Sequence, residues 1–173
     1  TQPEAELGLP GKVEQIIAPV TNRMAVRAWA QAMMPLMTRD CDLIHFMKNL
    51  GAFGLRQPNV VTMYDLTTLV YPQLLPKFDV LYWKTVQKWT LERANRIIAI
   101  SANTARDITR FYAISPAKID IIYPAYASHF HPAAAPEIER VRQRYGLARP
   151  YILHLGRLDR KKNASQLVHA YHQ

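Results

Sequence analysis

Short apolar runs alternate with longer amphipathic stretches along most of the chain. The runs are continuous rather than alternating, which is typical of strands buried on both faces of a parallel sheet. Four of them predict strands: DLIHF (42–46), NVVTMYDL (59–66), RIIAI (96–100) and KIDIIYP (118–124). Strands that alternate with helices predict an α/β fold, here a Rossmann-like parallel sheet with flanking helices.

The stretches around these strands have helical spacing, with apolar residues three or four positions apart. They predict helices over 22–39, 75–95 and 102–113. In the longest of them, an apolar stripe faces the predicted core; it consists of Phe78, Tyr82, Val86 and Trp89. Ser101 stands at the N-cap position of the third helix, where a hydroxyl accepts a hydrogen bond from a free backbone N–H.

The pattern changes after residue 124. Residues 125–150 are proline-rich and crossed by one short helix (137–145), which is typical of a linker. YILHL (151–155) then predicts a fifth strand, and ASQLVHAYHQ begins another helix. Twenty-three residues cannot close a new sheet, so we expect three parts: a partial domain (1–124), a linker (125–150) and the truncated start of a second domain (151–173).

Composition narrows the classes of partner. The 173 residues carry a formal net charge of +9 and have a pI near 9.8, which favours nucleic acid, anionic lipid or phosphorylated small molecules. One cysteine makes no internal disulfide, and no Cys/His cluster predicts a metal site, so we expect a cytoplasmic protein without a metal or cofactor. No apolar run is long enough for a transmembrane helix.

Four cations lie between the predicted fifth strand and the helix after it, in LGRLDRKKN (155–163). Ligands of parallel α/β folds bind where strands end and helices begin, and free N–H groups there attract phosphate. Gly156 would allow a tight turn, Arg157 could bind two phosphate oxygens, and Lys162 would add a point charge just before a cap at Asn163. The alternative is an ordinary solvated basic loop.

The segment YILHLGRLDRKKN resembles the diphosphate-binding segment of the group 1 glycosyltransferases, known as family four, which have the two-domain GT-B fold. The resemblance rests on an apolar strand, Gly-Arg-Leu, and a lysine followed by Asn or Gly. Upstream segments are similar to the family in the same order, from about Trp29 onward: DLIHF, VVTMYDLTTLVYPQLLP and ANRIIAISANTARDITRFYAISPAKIDIIYP. The family often has a histidine where Tyr64 stands here.

The resemblance implies a retaining transfer of a hexose, with mannose or glucose preferred, from a nucleotide-diphosphate sugar. The acceptor would be a glycan or a lipid-linked sugar in cell-surface polysaccharide synthesis. Gly156, Arg157, Lys162 and Asn163 would bind the donor diphosphate. Arg157 and Lys162 would act catalytically by stabilising the charge on the leaving group in place of a metal. Because the second domain is incomplete, residues 1–173 would be inactive by themselves.

On the acceptor side, four residues near predicted strand ends are candidates for a sugar-binding cleft. They are His45, Tyr64, Asp65 and Ser101. Each has a structural alternative: His45, predicted to end its strand, could be a packed core residue, Asp65 a turn aspartate and Ser101 only an N-cap. Tyr64 can donate a hydrogen bond but is not a base at neutral pH.

Other interpretations stay open at this point. The positive charge would also suit a basic nucleic-acid-binding α/β domain, although no recognised nucleic-acid motif is present and we expect no nucleic acid as a partner. A GT-B sugar-nucleotide epimerase would share the architecture. The helix over 22–38 combines methionines, a tryptophan and arginines, so we also expect peripheral contact with the inner face of a membrane, with core packing as the alternative.

Overall fold

The fold is a parallel four-stranded sheet with helices around it, seen in a computed structural model that describes residues 19–49, 51–158 and 162–172. The strands are β1 (Ile44–Phe46), β2 (Asn59–Met63), β3 (Arg96–Ala99) and β4 (Ile119–Ile121). They lie side by side in chain order, and every neighbouring pair is parallel. The predicted α/β, Rossmann-like fold class is confirmed, and each of the four strands falls inside its predicted range.

The helices occupy the stretches with helical spacing. They are α1 (Arg23–Met37), α2 (Thr67–Val70), α3 (Lys77–Tyr82), α4 (Lys88–Arg93), α5 (Ala102–Tyr112), α6 (Ala135–Tyr145) and α7 (Ala164–Tyr171). A π turn (Trp83–Gln87) joins α3 to α4, and short 3₁₀ turns cover Pro72–Leu74 and Pro116–Lys118. The predicted helix over 75–95 is therefore one continuous helical stretch with a widened turn in its middle.

The core covers one face of the sheet. Val61 of β2 pairs with Ile97 of β3, and both side chains are fully buried against Leu91, Ile108 and helix-end residues around them. Side chains alternate between the two faces of a strand, so the residues next to these point the other way. Thr62 and Ile98 lie on that second face, which is covered less completely. Burial of the first face supplies most of the hydrophobic stabilisation.

The apolar stripe predicted for residues 75–95 is wrong at its beginning. Phe78 is exposed, and the buried residue of α3 is Asp79, which forms an ion pair with Arg27 of α1 (Nη1 to Oδ1, 3.2 Å). The Arg27 guanidinium also lies over the rings of Tyr82 and Trp83. The Arg27 guanidinium is mostly buried under these rings, so its partner carboxylate, Asp79, must be buried beside it to balance the charge. This long-range contact, rather than the helical hydrophobic pattern, decides which residue of α3 is buried.

The predicted fifth strand over 151–155 is absent. Residues 151–155 have no regular structure, and their side chains are exposed, as is Leu158 just beyond. Among the described residues no strand lies beside them, and a strand exists only where a neighbour accepts its backbone hydrogen bonds. The helix predicted after the basic loop does form, as α7.

Candidate functional site

Parallel strands end at one edge of the sheet, and the residues that follow β1, β2 and β3 meet there. We call this group the carboxyl edge; it comprises residues 47–49, 64–66 and 100–101. Ligands of open parallel sheets bind at this edge because the turns leave polar groups and helix N-termini facing outward. Three of the four predicted cleft residues lie in it: Tyr64, Asp65 and Ser101.

Tyr64 is held at the carboxyl edge by both of its backbone polar groups. Its N–H donates to Oδ1 of Asn49 (2.8 Å), and its carbonyl accepts from the Thr104 hydroxyl (3.2 Å). The side chain stays 42% exposed, so the phenol faces solvent while the backbone is fixed. This arrangement suits a residue that presents one hydrogen-bonding group to a ligand.

Ser101 caps α5, as its position predicted. Its Oγ accepts a hydrogen bond from the Thr104 N–H (3.1 Å) and lies 3.0 Å from the Thr104 hydroxyl. Because that hydroxyl also contacts the Tyr64 carbonyl, Thr104 brings Ser101 and Tyr64 together across the ends of β2 and β3. The N-cap reading of Ser101 is thus confirmed, and it is compatible with a place in the cleft.

Asp65 and His45 each have a structural contact. Asp65 accepts from the Thr67 N–H (Oδ1, 3.0 Å), the geometry of a turn aspartate at the start of α2. His45 is the central residue of β1 rather than its last, so the prediction that it ends the strand is wrong by one position. Its Nε2 lies 2.8 Å from the hydroxyl of Thr62, while its side chain is largely exposed.

Tyr64, Asp65 and Ser101 give the carboxyl edge a phenol, a carboxylate and a serine hydroxyl, which together provide both donors and acceptors. His45 lies in the middle of β1, outside this edge. Sugar hydroxyls are themselves donors and acceptors, so such an edge can orient a carbohydrate. Among the described residues there is no group of three or more His, Cys, Asp or Glu that could hold a metal ion.

The basic loop lies apart from the sheet in sequence and is described only at its two ends. The chain bends at Gly156, and Arg157 and Lys162 are exposed. A Cβ at Gly156 would meet only the His154 ring, at 3.5 Å, so packing among the described residues does not require glycine there. The other two cations of the loop, Arg160 and Lys161, lie outside the described residues.

Asn163 stands at the predicted cap position of α7, but it does not cap the helix with its side chain. Its backbone is left-handed (φ 52°), and the side chain makes no hydrogen bond to the first turn. An ordinary N-cap residue is extended, which is what aims its side chain back at the free N–H groups. The expectation of a capping asparagine is therefore wrong.

Sequence reasoning missed three residues that shape the carboxyl edge. Asn49 and Thr104 hold the Tyr64 backbone from opposite sides, and Gln87 contacts Asn49 from the core. Gln87 gave no distinct signal, because polar and charged residues such as Lys84 and Lys88 occur throughout the same helical stretch. Asn49 and Thr104 gave none either, because their partner Tyr64 lies 15 and 40 positions away from them.

The part of the chain that the structure describes has no helix with the length and apolar character needed to cross a membrane.

Comparison with known proteins gives one family and two relatives. The family model described as Glycosyltransferase Family 4 matches residues 2–130. Two Escherichia coli proteins, each named serotype-specific mannosyltransferase WbdA, are 29% identical to this chain over 98 residues. The match covers 56% of this chain but only 12% of one relative and 11% of the other.

Proposed function

Because the chain belongs to glycosyltransferase family 4, we propose that the protein carrying it transfers a hexose from a nucleotide-diphosphate sugar to a glycan or lipid-linked acceptor, with retention at the anomeric carbon. The observation that carries the proposal is the carboxyl edge, where Thr104 brings Tyr64 and Ser101 together beside Asp65. These side chains would contact the acceptor or the transferred sugar.

Mannose is the donor sugar that we prefer, with glucose second. Support for mannose comes from the two relatives, which are named as serotype-specific mannosyltransferases. The same names support a role in cell-surface polysaccharide synthesis. The acceptor in such a synthesis would be a glycan or a lipid-linked sugar. To reach a lipid-linked sugar, the protein would bind peripherally to the inner face of the membrane.

Arg157 and Lys162 would bind the donor diphosphate from the start of a second domain (151–173), joined to the acceptor-side domain (1–124) by a linker (125–150). As the glycosidic bond to the diphosphate breaks, negative charge grows on the leaving oxygens. Fixed cations near that charge lower the barrier, which is the work that a metal ion performs elsewhere. A glycine at position 156 would let the backbone approach the phosphate closely.

Substitutions in the basic loop of the intact protein test this proposal. We expect Arg157→Ala and Lys162→Ala each to lower kcat by about a hundredfold or more, because each removes transition-state stabilisation. Arg160→Ala, the matched control, changes the same net charge and should cost less than about threefold. Equal losses at all three positions would show that bulk charge acts, rather than a shaped anion site.

Two further measurements separate the proposal from its alternatives. Thermal-shift screening should show stabilisation of the intact protein by at least one nucleoside diphosphate; no shift with any of them contradicts the proposal. Product analysis with the stabilising nucleotide sugar should then show a sugar transferred to an acceptor. A new nucleotide-sugar epimer without an acceptor product would favour an epimerase instead.

A further inference from the structure

The side chain of Gln87 is an amide inside an apolar core. It is only 2% exposed and lies at the end of the π turn, next to the buried sulfur of Met63 (Nε2 to Sδ, 3.7 Å). Burying a primary amide is unfavourable unless its oxygen and its nitrogen both find partners. The partners of Gln87 therefore indicate what the residue does.

Chemistry fixes the orientation of this amide. The backbone carbonyl of Asn49 can only accept, so the Gln87 NH2 must face it (3.3 Å). The amide oxygen is then left for the Tyr112 hydroxyl, which donates to it at 2.5 Å. Burial raises the pKa of the Tyr112 hydroxyl above its usual value, so this donor keeps its proton throughout the physiological range.

The hydrogen-bonded path continues from Gln87 to the carboxyl edge. Asn49 has a left-handed backbone (φ 52°), and its N–H donates to the carbonyl of Thr62 (3.0 Å). In this conformation its side-chain oxygen accepts from the N–H of Tyr64 (2.8 Å). A buried tyrosine, a buried glutamine and a half-buried asparagine thus link α5, the π turn and the loop after β1 to Tyr64.

The π turn gives this path its geometry. A π turn holds one more residue than an α-helical turn, so it changes which side chains face the core beyond it. At the end of the widened turn, Gln87 faces the sheet between α5 and the loop after β1, where both Tyr112 and Asn49 are within reach. π turns of this kind are frequent near functional sites because they place one side chain where the regular helix would not.

We propose that Gln87 and Asn49 are positioning residues that hold Tyr64 in place at the carboxyl edge, where the acceptor binds. The acceptor part of this inference rests on the function proposed above. Neither residue touches the ligand; Gln87 acts through the Asn49 carbonyl, and Asn49 acts through the Tyr64 backbone. Loss of either bond would loosen Tyr64 without changing any side chain of the cleft.

Hydrogen exchange of the Tyr64 amide in the intact protein tests the path itself. Asn49→Gly keeps the left-handed backbone and removes the acceptor oxygen, so we expect the Tyr64 amide to exchange about fivefold faster. Asn49→Asp retains an acceptor oxygen and tolerates the same backbone, so it should restore protection. Gln87→Met, similar in length but apolar, should also speed exchange by about threefold.

The matched control is Gln73→Met, the same substitution at an exposed glutamine in the 3₁₀ turn before α3. It should leave exchange at Tyr64 unchanged. If Gln87→Met also leaves it unchanged, Gln87 does not hold Tyr64 and the inference is overturned.

Steady-state kinetics test the link to acceptor binding. We expect Asn49→Gly and Gln87→Met to raise the acceptor KM by about fivefold and leave the donor KM unchanged. A variant that was only destabilised would contain fewer active molecules, which lowers kcat and changes neither KM; that result would overturn the positioning role. If the wild-type protein transfers no sugar, the proposed function fails, and the exchange measurement still decides whether Gln87 holds Tyr64.

Discussion

Two short apolar runs of this chain differ in structure: one is a buried strand, and the other is exposed and has no regular structure. RIIA forms β3 at the centre of the sheet, where Ile97 is 0% exposed. YILHL at 151–155 is equally apolar, yet it forms no strand and Leu155 is 93% exposed. Both runs would be assigned to buried strands from their composition alone.

The difference lies in the neighbours rather than in the residues. β3 has β2 on one side and β4 on the other, in register from Val60↔Arg96 and from Ile97↔Ile119. Each neighbour satisfies one row of backbone groups, and α4 and α5 cover the apolar face. Residues 151–155 have no strand beside them among the described residues. An apolar run is therefore only a candidate strand. It becomes a strand where neighbouring strands pair with its backbone N–H and C=O groups.

Truncating one side chain in each run, in the chain of residues 1–173, tests this comparison. We expect this pair of changes to give the largest effect. Ile97→Ala removes buried methyl groups and leaves a cavity in the core, so it should lower the free energy of unfolding by about 2–5 kcal/mol. Leu155→Ala removes an exposed side chain and should change it by less than about 0.5 kcal/mol. The urea midpoint of each variant measures both values.

A large loss from Leu155→Ala would break the comparison. It would mean that residues 151–155 are already packed within residues 1–173, against a surface that the described residues do not provide. Both runs would then be buried, and the presence of neighbouring strands would not explain the difference between them.

Local signals explain what the sequence could predict. The Ser101 cap depends on backbone N–H groups two or three residues away, and the helix it begins is amphipathic by itself. The strands β2 and β3 could likewise be found from continuous apolar runs. In each case the deciding interactions are local or depend only on average burial.

Long-range contacts explain what the sequence could not predict. Asp79 can be buried because it forms an ion pair with Arg27, which lies 52 positions away in the sequence. Gln87 can be buried because Asn49 and Tyr112 complete its hydrogen bonds. The same holds for the carboxyl edge: the location of Tyr64 followed from the strand pattern, but the groups that hold it did not. Residue type and spacing do not encode a partner on another element.

Two left-handed residues give the next test, with a smaller effect. Ala113 ends α5 at φ 56°, in the part of the chain built on the sheet, and Asn163 precedes α7 at φ 52°. Alanine is strained in the left-handed conformation, and glycine is not. Glycine loses more backbone entropy on folding, so the net gain in the free energy of unfolding from Ala113→Gly should be about 0.5 kcal/mol. Asn163→Gly should leave the urea midpoint unchanged, since asparagine tolerates this backbone. Equal gains at both positions would contradict the contrast.

The smallest expected effect is a pH dependence confined to the sheet. Hydrogen bonds from Arg96 of β3 hold the pKa of Asp120 of β4 below its usual value. A carboxyl whose pKa is lowered by folding stabilises the protein above its unfolded pKa of about 3.9, and this contribution disappears as the pH falls through the folded value. Asp120→Asn should therefore be less stable than wild type at neutral pH, with a difference that shrinks in acid.

The control for this pH effect is an exposed pair on a helix outside the sheet. In α6, Nη2 of Arg140 lies 3.4 Å from Oε1 of Glu137, and both side chains are exposed. No strand pairing fixes their geometry. Pairs of this kind contribute little, so the unfolding midpoint of Glu137→Gln should follow that of wild type at every pH. Because pairing of β3 with β4 orients Arg96 towards Asp120, added salt should weaken the Asp120 effect only in part. If Glu137→Gln showed the same acid-dependent difference as Asp120→Asn, pairing of the strands would give the ion pair no advantage over two mobile side chains.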